Sequence, residues 1–263
     1  MNAPPLIFNG RGIVLDIEGT VSSILYVREV MFKFARRELD GFLAAHWDEP
    51  AVRDACKKIA RECMTAAPET VDANSREQIA TLAGRMMDED FKTTGLKDLQ
   101  AMIWESGFKT GELRGQVYPD VPPILAAWKR AGKDVRIYSS GSIAAQKLFF
   151  GNTVEGNLLP FFNGHFDTTS GSKKSAESYK KIAAEMNLPP REILFLSDLE
   201  EELNAAQDAG WVTGLVVRPE NAANNPGQGG IRAGATSRYG GDGTTLSPDS
   251  RPLITNFSQI IWQ

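Results

Sequence analysis

The pattern of apolar and polar positions divides the chain into three stretches. A short apolar run, Ile13-Val14-Leu15, is typical of a strand buried on both faces of a parallel sheet. From Val27 to about Arg114, apolar residues recur at helical spacing without strand-like alternation, which predicts a block of several helices. The apolar positions of this block are Val30, Phe34, Leu39 and Leu43, then Ile79, Leu82, Met86 and Phe91, then Leu96, Leu99 and Met102.

After Tyr118-Pro119-Asp120, strand and helix patterns alternate as far as about residue 217. We predict strands over 135–138, 166–168, 193–196 and 211–217, and helices over 124–131, 142–150, 176–186 and 201–209. Such repetition is typical of the α/β class, here a doubly wound parallel sheet with an inserted helical cap domain.

The position of the helical block predicts the domain organisation. We expect an α/β core domain over 1–24 and 117–263, and a helical cap domain over 25–116 that covers the ends of the strands. Residues 221–250 are dense in Gly, Asn, Ser and Thr and are predicted to form a flexible surface loop. Residues 253–262 regain apolar side chains and are expected to pack back on the core.

One stretch of the helical block has two interpretations. Trp104 to Gly111 interrupts the helical pattern with two glycines around an aromatic and a charged residue. Aromatic residues at helical spacing are usually core residues. Because this stretch lies near the return to the sheet, it could instead line a substrate pocket.

Composition narrows the class of protein. The chain has 263 residues, 42% of them hydrophobic, which is enough for a buried core. A net charge of −4 without a stripe of Lys and Arg argues against a nucleic-acid partner, and no apolar run is long enough to span a membrane. Cys56 and Cys63, seven residues apart, are predicted to be core thiols on one helix face. We therefore expect a cytoplasmic protein, and a monomer is the expected oligomeric state.

Two acids follow the first predicted strand. Asp16 comes directly after the buried run, where a parallel strand delivers its next side chain to the crevice at the carboxyl edge of the sheet. Glu18 follows two residues later, and Gly19-Thr20 allows the chain to turn. A carboxylate attacks a phosphate dianion poorly because like charges repel, and Mg²⁺ removes that obstacle by bridging the two.

A third acid occupies the equivalent position after another strand. Asp198 follows the run 193–197 and could complete a metal site with Asp16, or it could cap the helix that follows. Glu202, one turn later, could support that site.

Groups suited to a phosphate follow the remaining strands. Ser139-Ser140-Gly141-Ser142 joins small hydroxyl residues to a predicted helix N-terminus, where unpaired N–H groups bind anions. Lys173 could neutralise the phosphate, and its neighbour Lys174 is the obvious competitor for that role.

The order Asp-x-Glu-Gly-Thr, Ser-Ser-Gly-Ser, Lys and Ser-Asp resembles the haloacid dehalogenase superfamily, in which the second acid of the first motif is commonly Asp. Glu18 departs from that pattern. That departure, together with the stretches 137–148 and 177–182, resembles the enolase-phosphatase family of methionine salvage, also called acireductone synthases. The similarity extends over 12–219 and returns near 254–260.

The resemblance implies a Mg²⁺-dependent enzyme that enolises 2,3-diketo-5-methylthiopentyl-1-phosphate and then dephosphorylates it to an acireductone. By this resemblance, Asp16 is the nucleophile and a metal ligand, Glu18 is the acid and base with a metal contact, and Asp198 is a metal ligand. Ser139, Ser140 and Lys173 bind the substrate phosphate. The base for enolisation stays open between Glu18 and a group of the cap.

Two other functions are compatible with the sequence. Three of the four motifs are generic, so the chain could be a phosphatase of the same superfamily that acts on another small phosphate ester. A non-catalytic binding protein that kept the fold is the third possibility, although the full set of acids and Lys173 argues against it.

Overall fold

The computed structural model describes residues 5–66, 71–218 and 251–262. The chain divides into two compact units. One consists of Met1–Ile24 and Gly115–Gln263, and the other of Leu25–Arg114. The stretch 221–250, predicted to be a loop, lies outside the described residues.

The helices and strands alternate in the first unit, whereas the second unit is helical. The strands are β1 (Leu6–Ile7), β2 (Gly12–Leu15), β3 (Asp134–Tyr138), β4 (Gly164–Phe166), β5 (Ile193–Ser197), β6 (Val212–Val216), β7 (Leu253–Ile254) and β8 (Ile260–Ile261). The α-helices are α1 (Lys33–His46), α2 (Pro50–Ala66), α3 (Arg76–Asp88), α4 (Thr94–Thr110), α5 (Val121–Arg130), α6 (Ile143–Gly151), α7 (Ala176–Met186) and α8 (Glu200–Asp208).

A six-stranded parallel sheet forms the centre of the first unit. Its strand order is β4-β3-β2-β5-β6-β7, so β2 lies between β3 and β5. Leu15 at the end of β2 is in register with Ile137 of β3 and Leu196 of β5. All residues of β2 and β5 are buried, which explains why both strands are continuous apolar runs. The predicted doubly wound α/β fold is confirmed.

Residues near both ends of the described chain form strands of the first unit. Residues 253–262 were expected to return to the core, and β7 indeed extends the sheet beside β6. Phe257 is fully buried and stacks on Trp128 of α5, with ring centroids 5.8 Å apart. β8 pairs with β1 in a separate two-stranded parallel sheet.

One predicted strand was misplaced. The expected strand over 166–168 lies at Gly164–Phe166 instead, so Phe166 is its last residue rather than its first. The chain turns immediately afterwards, because the Asp167 carboxylate accepts hydrogen bonds from the backbone N–H (2.9 Å) and hydroxyl (2.6 Å) of Thr169. The other predicted strands and helices of this unit are confirmed, with ends that differ by a few residues.

The second unit contains helices α1 to α4, preceded by a π-helical segment, Tyr26–Phe32. Helices α2 and α4 approach closely at Gly95, where a Cβ atom would come within 2.7 Å of the backbone nitrogen of Ile59. The Glu62 carboxylate of α2 accepts the N–H groups of Thr94 and Gly95 and so satisfies free donors at the start of α4. Cys56 is buried as predicted, and the Cys63 side chain lies outside the described residues.

Three expectations for this block were wrong in detail. Val30, assigned to the apolar face, is 40% exposed because π-helical winding changes which side chains share a face. Phe91 lies beyond the end of α3 and is 38% exposed. Of the two glycines expected to interrupt the helical pattern over 104–111, Gly107 does not, since α4 continues to Thr110, whereas Gly111 ends the helix with a φ of +79°. Gly107 instead makes room for the Phe34 ring, which an added Cβ would meet at 2.5 Å.

Candidate active site

Two carboxylates lie side by side at the carboxyl edge of the sheet. Asp16 follows β2 and Asp198 follows β5, the adjacent strand. The Asp16 N–H donates to the carbonyl of Leu196 at 3.0 Å, so the ladder between the two strands extends as far as Asp16. Asp16 is 5% exposed and Asp198 is 6% exposed.

This edge is the topological switch point of the sheet. From β2 the chain proceeds to β3 and β4 on one side, and it then crosses to β5 on the other side of β2. The loops after β2 and β5 therefore lead in opposite directions and leave a crevice between them, which is where open α/β sheets bind ligands.

Lys173 is a buried cation that contacts this pair of strand ends. Its Nζ lies 2.6 Å from Oδ1 of Asp16 and 2.7 Å from Oε2 of Glu202, and the residue is 8% exposed. Lys174, the competing candidate, is exposed and pairs with Glu201 on the surface. The structure thus favours Lys173 as the cation of the site.

Two tyrosines hold the loop that carries Lys173. The hydroxyl of Tyr179 donates to the Lys173 carbonyl at 2.7 Å, and the hydroxyl of Tyr138 donates to the Gly171 carbonyl at 3.0 Å. Both tyrosines are fully buried. The ammonium group therefore reaches Asp16 from a backbone that is fixed by buried hydrogen bonds.

Glu202 completes the charged cluster from the first turn of α8. It accepts a hydrogen bond from the Ser197 hydroxyl at 2.9 Å, and the Ser197 oxygen accepts the N–H of Leu199 at 3.1 Å. Glu202 is 5% exposed, whereas Glu200 and Glu201 beside it are exposed. The structure thus singles out Glu202 among the three consecutive acids.

The cluster has more acidic than basic side chains. Burial, followed by the neighbouring charges of Asp16 and Glu202, raises the pKa of Asp198 to about 8, although Lys173 opposes the shift. Burial and the charge of Asp16 likewise raise the pKa of Glu202 to about 7. Burial acts to lower the pKa of Lys173, but the two carboxylates at its ammonium outweigh that effect and raise it. Asp16 and Glu202 thus share one ammonium, and a further cation would favour the ionised form of all three acids.

The donor set fits Mg²⁺. Asp16 and Asp198 offer carboxylate oxygens at adjacent strand ends, and Mg²⁺ in phosphoryl-transfer sites is held by one or two carboxylates, waters and the substrate phosphate. Over residues 5–66, 71–218 and 251–262, no group of three or more His, Cys, Asp or Glu side chains is arranged as a complete metal centre.

The serine loop follows β3 on the other side of β2. Ser139 is 5% exposed, its N–H donates to the Phe166 carbonyl at 3.2 Å, and its hydroxyl oxygen accepts the N–H of Gly141 at 3.4 Å. Ser140 lies exposed in the turn. At the start of α6, the N–H groups of Ile143 and Ala145 already donate to Asp167 (3.1 Å) and to the Ser142 hydroxyl (3.2 Å). The expected anion site at this helix end is thus limited to the loop before it.

Glu18 lies exposed in a tight turn after Asp16. The Ile17 carbonyl accepts the N–H groups of Thr20, Val21 and Ser22 at 3.2, 2.9 and 3.0 Å. Gly19 adopts a φ of +74°, a conformation that glycine reaches without strain. The structure brings Asp16, Lys173, Asp198 and Glu202 together, and it places Glu18 and Ser140 on two loops at the same edge of the sheet.

Sequence analysis missed two residues that support the serine loop. The Gln146 side-chain amide donates to the carbonyls of Gly141 and Phe166, both at 2.8 Å. Asp167 binds the first N–H of α6, as described above. Asp167 follows β4 as Asp16 follows β2, so an acid directly after a strand was the available signal. Nothing in the sequence distinguished Gln146 from a surface glutamine.

Comparison with known proteins identifies the family of this chain. A family model described as haloacid dehalogenase-like hydrolase matches residues 11–210. An enolase-phosphatase E1 of Alcanivorax borkumensis is 44% identical over 250 residues, which are 95% of this chain and 97% of that one. An enolase-phosphatase E1 of Erwinia tasmaniensis is 44% identical over 82% of this chain and 90% of its own length.

Solved structures share the fold. The UTR4 protein of Saccharomyces cerevisiae superposes with a TM-score of 0.68 at 27% identity, covering 95% of this chain and 99% of that one. CbbY of Rhodobacter sphaeroides, at 17% identity and a TM-score of 0.52, covers 95% of both chains and shares the fold alone. With its family-model match and its relatives at more than 40% identity, this chain belongs to the haloacid dehalogenase-like hydrolases and, within them, to the enolase-phosphatases.

Proposed function

We propose that this enolase-phosphatase converts 2,3-diketo-5-methylthiopentyl-1-phosphate to an acireductone and phosphate, with Asp16 as the nucleophile. The observation that carries the assignment of Asp16 is its ion pair with Lys173 beside Asp198 at the switch point of the sheet. A buried carboxylate held by a buried ammonium at this position is oriented for attack on a phosphorus atom.

Phosphoryl transfer begins at the Asp16 carboxylate. One of its oxygens attacks phosphorus, while Lys173, the hydroxyl of Ser139 and the N–H of Ser140 hold the other phosphate oxygens. The bond between phosphorus and the substrate oxygen breaks, and that oxygen takes a proton from Glu18. The product of this step is an aspartyl phosphate, with Glu18 left as a carboxylate.

Hydrolysis restores the enzyme. Glu18 now accepts a proton from a water molecule that attacks the same phosphorus, and the bond between phosphorus and Asp16 breaks. Phosphate leaves, and Asp16 is again a carboxylate paired with Lys173. Glu18 thus alternates between acid and base, which suits a carboxyl group whose side chain is exposed on an otherwise buried turn.

We propose Mg²⁺ as the cofactor, held by Asp16, Asp198 and a contact with Glu18. When bound, it would neutralise the charge of the attacking carboxylate and of the phosphate. Its support is the excess of buried carboxylates over ammonium groups at this edge of the sheet.

Enolisation precedes phosphoryl transfer and requires a base near the carbon that bears the phosphate ester. Glu18 is one candidate and a group of the helical unit is the other. We propose that residues 25–116 form the cap domain that selects the substrate. Their insertion point supports this, since the chain leaves the first unit at Ile24, shortly after the end of β2. Hydrogen exchange in this unit, measured with and without a phosphonate analogue and Mg²⁺, would test it.

We also propose that the enzyme acts as a monomer in the cytoplasm on a small-molecule phosphate. The net charge of −4 and the lack of a basic stripe support a small ligand over a nucleic acid. In the described part of the chain, no helix has the length and apolar character needed to cross a bilayer. The molar mass of the purified protein, measured by light scattering, would test whether it is a monomer.

One assay tests the proposed function as a whole. Phosphate release and enol absorbance are followed in the same sample of 2,3-diketo-5-methylthiopentyl-1-phosphate, with Mg²⁺ and with a chelator. We expect the enol to form first and phosphate to follow, only when Mg²⁺ is present. Phosphate release from other esters but not from this diketone would overturn the substrate assignment and leave the nucleophile in place.

A further inference from the structure

Arg218 is a buried cation outside the charged cluster described above. It lies two residues beyond the end of β6 and is 3% exposed. Its Nε and one terminal nitrogen donate to the carbonyl oxygen of Thr20 at 3.0 and 2.9 Å. Its other terminal nitrogen lies 2.9 Å from both carboxylate oxygens of Asp120.

The same guanidinium contacts the C-terminal segment and two aromatic rings. It donates to the Thr255 carbonyl at 3.2 Å and lies 4.3 Å from the ring centroid of Tyr118 and 4.6 Å from that of Phe257. Asp120 also accepts the N–H of Phe257 at 2.7 Å. Only a planar guanidinium can serve all these partners at once, because its donors spread in one plane while both faces remain free for rings.

Thr20 lies within the turn that carries Glu18. The turn closes on the Ile17 carbonyl, and the Gly19 N–H donates to the Ser22 carbonyl at 2.8 Å. The carbonyl of Thr20 is thus one of the groups through which distant parts of the chain fix this turn, beside the Val21 carbonyl, which accepts the Tyr118 N–H at 2.9 Å, and the Ser22 hydroxyl, which donates to the Gln116 carbonyl at 2.7 Å. Two hydrogen bonds from one buried cation restrict the peptide plane of Thr20 far more than solvent would.

We propose that Arg218 is a positioning residue for the catalytic turn. By holding the Thr20 carbonyl, it fixes the turn so that Glu18 presents its carboxyl group at the reacting phosphate ester. The inference rests on the proposed roles of Asp16 and Glu18. Arg218 does not touch the substrate in this account, and the groups assigned to the phosphate, Ser139 and Lys173, are held by other contacts.

Because Arg218 holds the turn and other contacts hold the phosphate-binding groups, we expect its substitution to lower kcat more than it weakens phosphate binding. Without the two hydrogen bonds from the Arg218 guanidinium to the Thr20 carbonyl, the turn can shift while the loops that hold the phosphate stay in place. A shift of this kind can cost about 100-fold in rate, so we expect kcat to fall roughly 10- to 100-fold for Arg218→Met. Because the loss lies in proton transfer rather than in ground-state binding, inhibition by inorganic phosphate should change by less than about threefold.

The experiment compares three variants with the wild-type enzyme in the diketone phosphate assay with Mg²⁺. Arg218→Met removes the donors and keeps the length of the side chain. Arg218→Lys keeps a cation opposite Asp120 but lacks the paired guanidinium donors that bind the Thr20 carbonyl. This variant tests the proposal if the Met variant does not fold. Arg251→Met is the matched control, since Arg251 contacts Thr213, Asn204 and Gln207 in the same unit and not the turn.

Each outcome has a defined meaning. A fall in kcat for the Arg218 variants, with phosphate inhibition and the Arg251 control near wild-type values, supports the positioning role. Folded Arg218 variants with kcat within about twofold of wild type would overturn it. So would a phosphate inhibition constant that rises as much as kcat falls, because the whole site would then have lost its structure. Failure of the wild-type enzyme to turn over the diketone would instead overturn the proposed function.

Discussion

Lys173 Nζ lies 2.6 Å from Oδ1 of Asp16, although the two residues are 157 positions apart in the chain. Both are more than nine-tenths buried. The pair joins the strand end that carries the proposed nucleophile to the loop before α7, and Glu202 shares the same ammonium. Removing Lys173 would leave the carboxylates of Asp16 and Glu202 buried without their cation, so this ammonium matters for the stability of the site as well as for its proposed chemistry.

Asp16→Asn should stop phosphate release. The amide keeps the shape of the side chain but cannot form an aspartyl phosphate, so we expect phosphate release to fall by roughly 10³-fold or more. The measurement is phosphate release from the diketone phosphate with Mg²⁺. The matched control is Asp208→Asn at the exposed end of α8, which should keep wild-type activity. Full activity in the Asp16 variant would remove the nucleophile assignment.

Lys173→Met and Lys174→Met should behave differently although the residues are neighbours. Lys173→Met leaves Asp16 and Glu202 buried without their cation, which should cost about 3–5 kcal/mol in the free energy of unfolding and abolish activity. Lys174 pairs with Glu201 on the surface, and its loss should leave both properties close to wild type. Urea unfolding and turnover of both variants test this. Equal effects would show that the buried ion pair has no special role.

The stability of the metal-free enzyme should fall as pH rises from about 4 to about 8. Asp198 and Glu202 have raised pKa values in the folded protein, to about 8 and about 7, so the folded state binds more protons than the unfolded state over this range. Their ionisation as pH rises therefore favours unfolding, and Mg²⁺ should reduce the loss by balancing their charge. Thermal unfolding in chelator and in Mg²⁺ measures both effects. Asp198→Asn should reduce the dependence of stability on pH measured in chelator. An unchanged dependence would show that the ionisation of Asp198 does not contribute to it.

Gly107→Ala and Gly41→Ala should have opposite effects, although both glycines lie within helices of the second unit. At Gly107 the new Cβ would meet the Phe34 ring at 2.5 Å, and such overpacking costs about 1–3 kcal/mol. At Gly41 no atom lies within 4 Å of the new Cβ, so the higher helix propensity of alanine should stabilise the protein by about 0.5–1 kcal/mol. Chemical denaturation tests both. Destabilisation by both substitutions would mean that helix propensity does not dominate at Gly41.

Sequence alone determined the elements that depend on local pattern. Apolar runs predicted β2 and β5 because both strands are buried on both faces, and helical spacing predicted the insertion between β2 and β3. The positions of Asp16 and Asp198 directly after these strands predicted that their carboxylates lie at the same edge of the sheet, since parallel strands end at a common edge. The resemblance to a known family supplied the substrate, which no spacing of residues encodes.

Only the tertiary structure decided which side chains meet. In the structure, Lys173 and not Lys174 contacts Asp16, and Glu202 is buried while its two neighbouring acids are exposed. Burial and distance thus distinguish residues that look alike in a sequence. The tertiary structure also brought Arg218 to Thr20 across 198 positions of the chain. Contacts of this kind depend on the packing of the whole sheet, whereas sequence patterns report only the nearest residues along the chain.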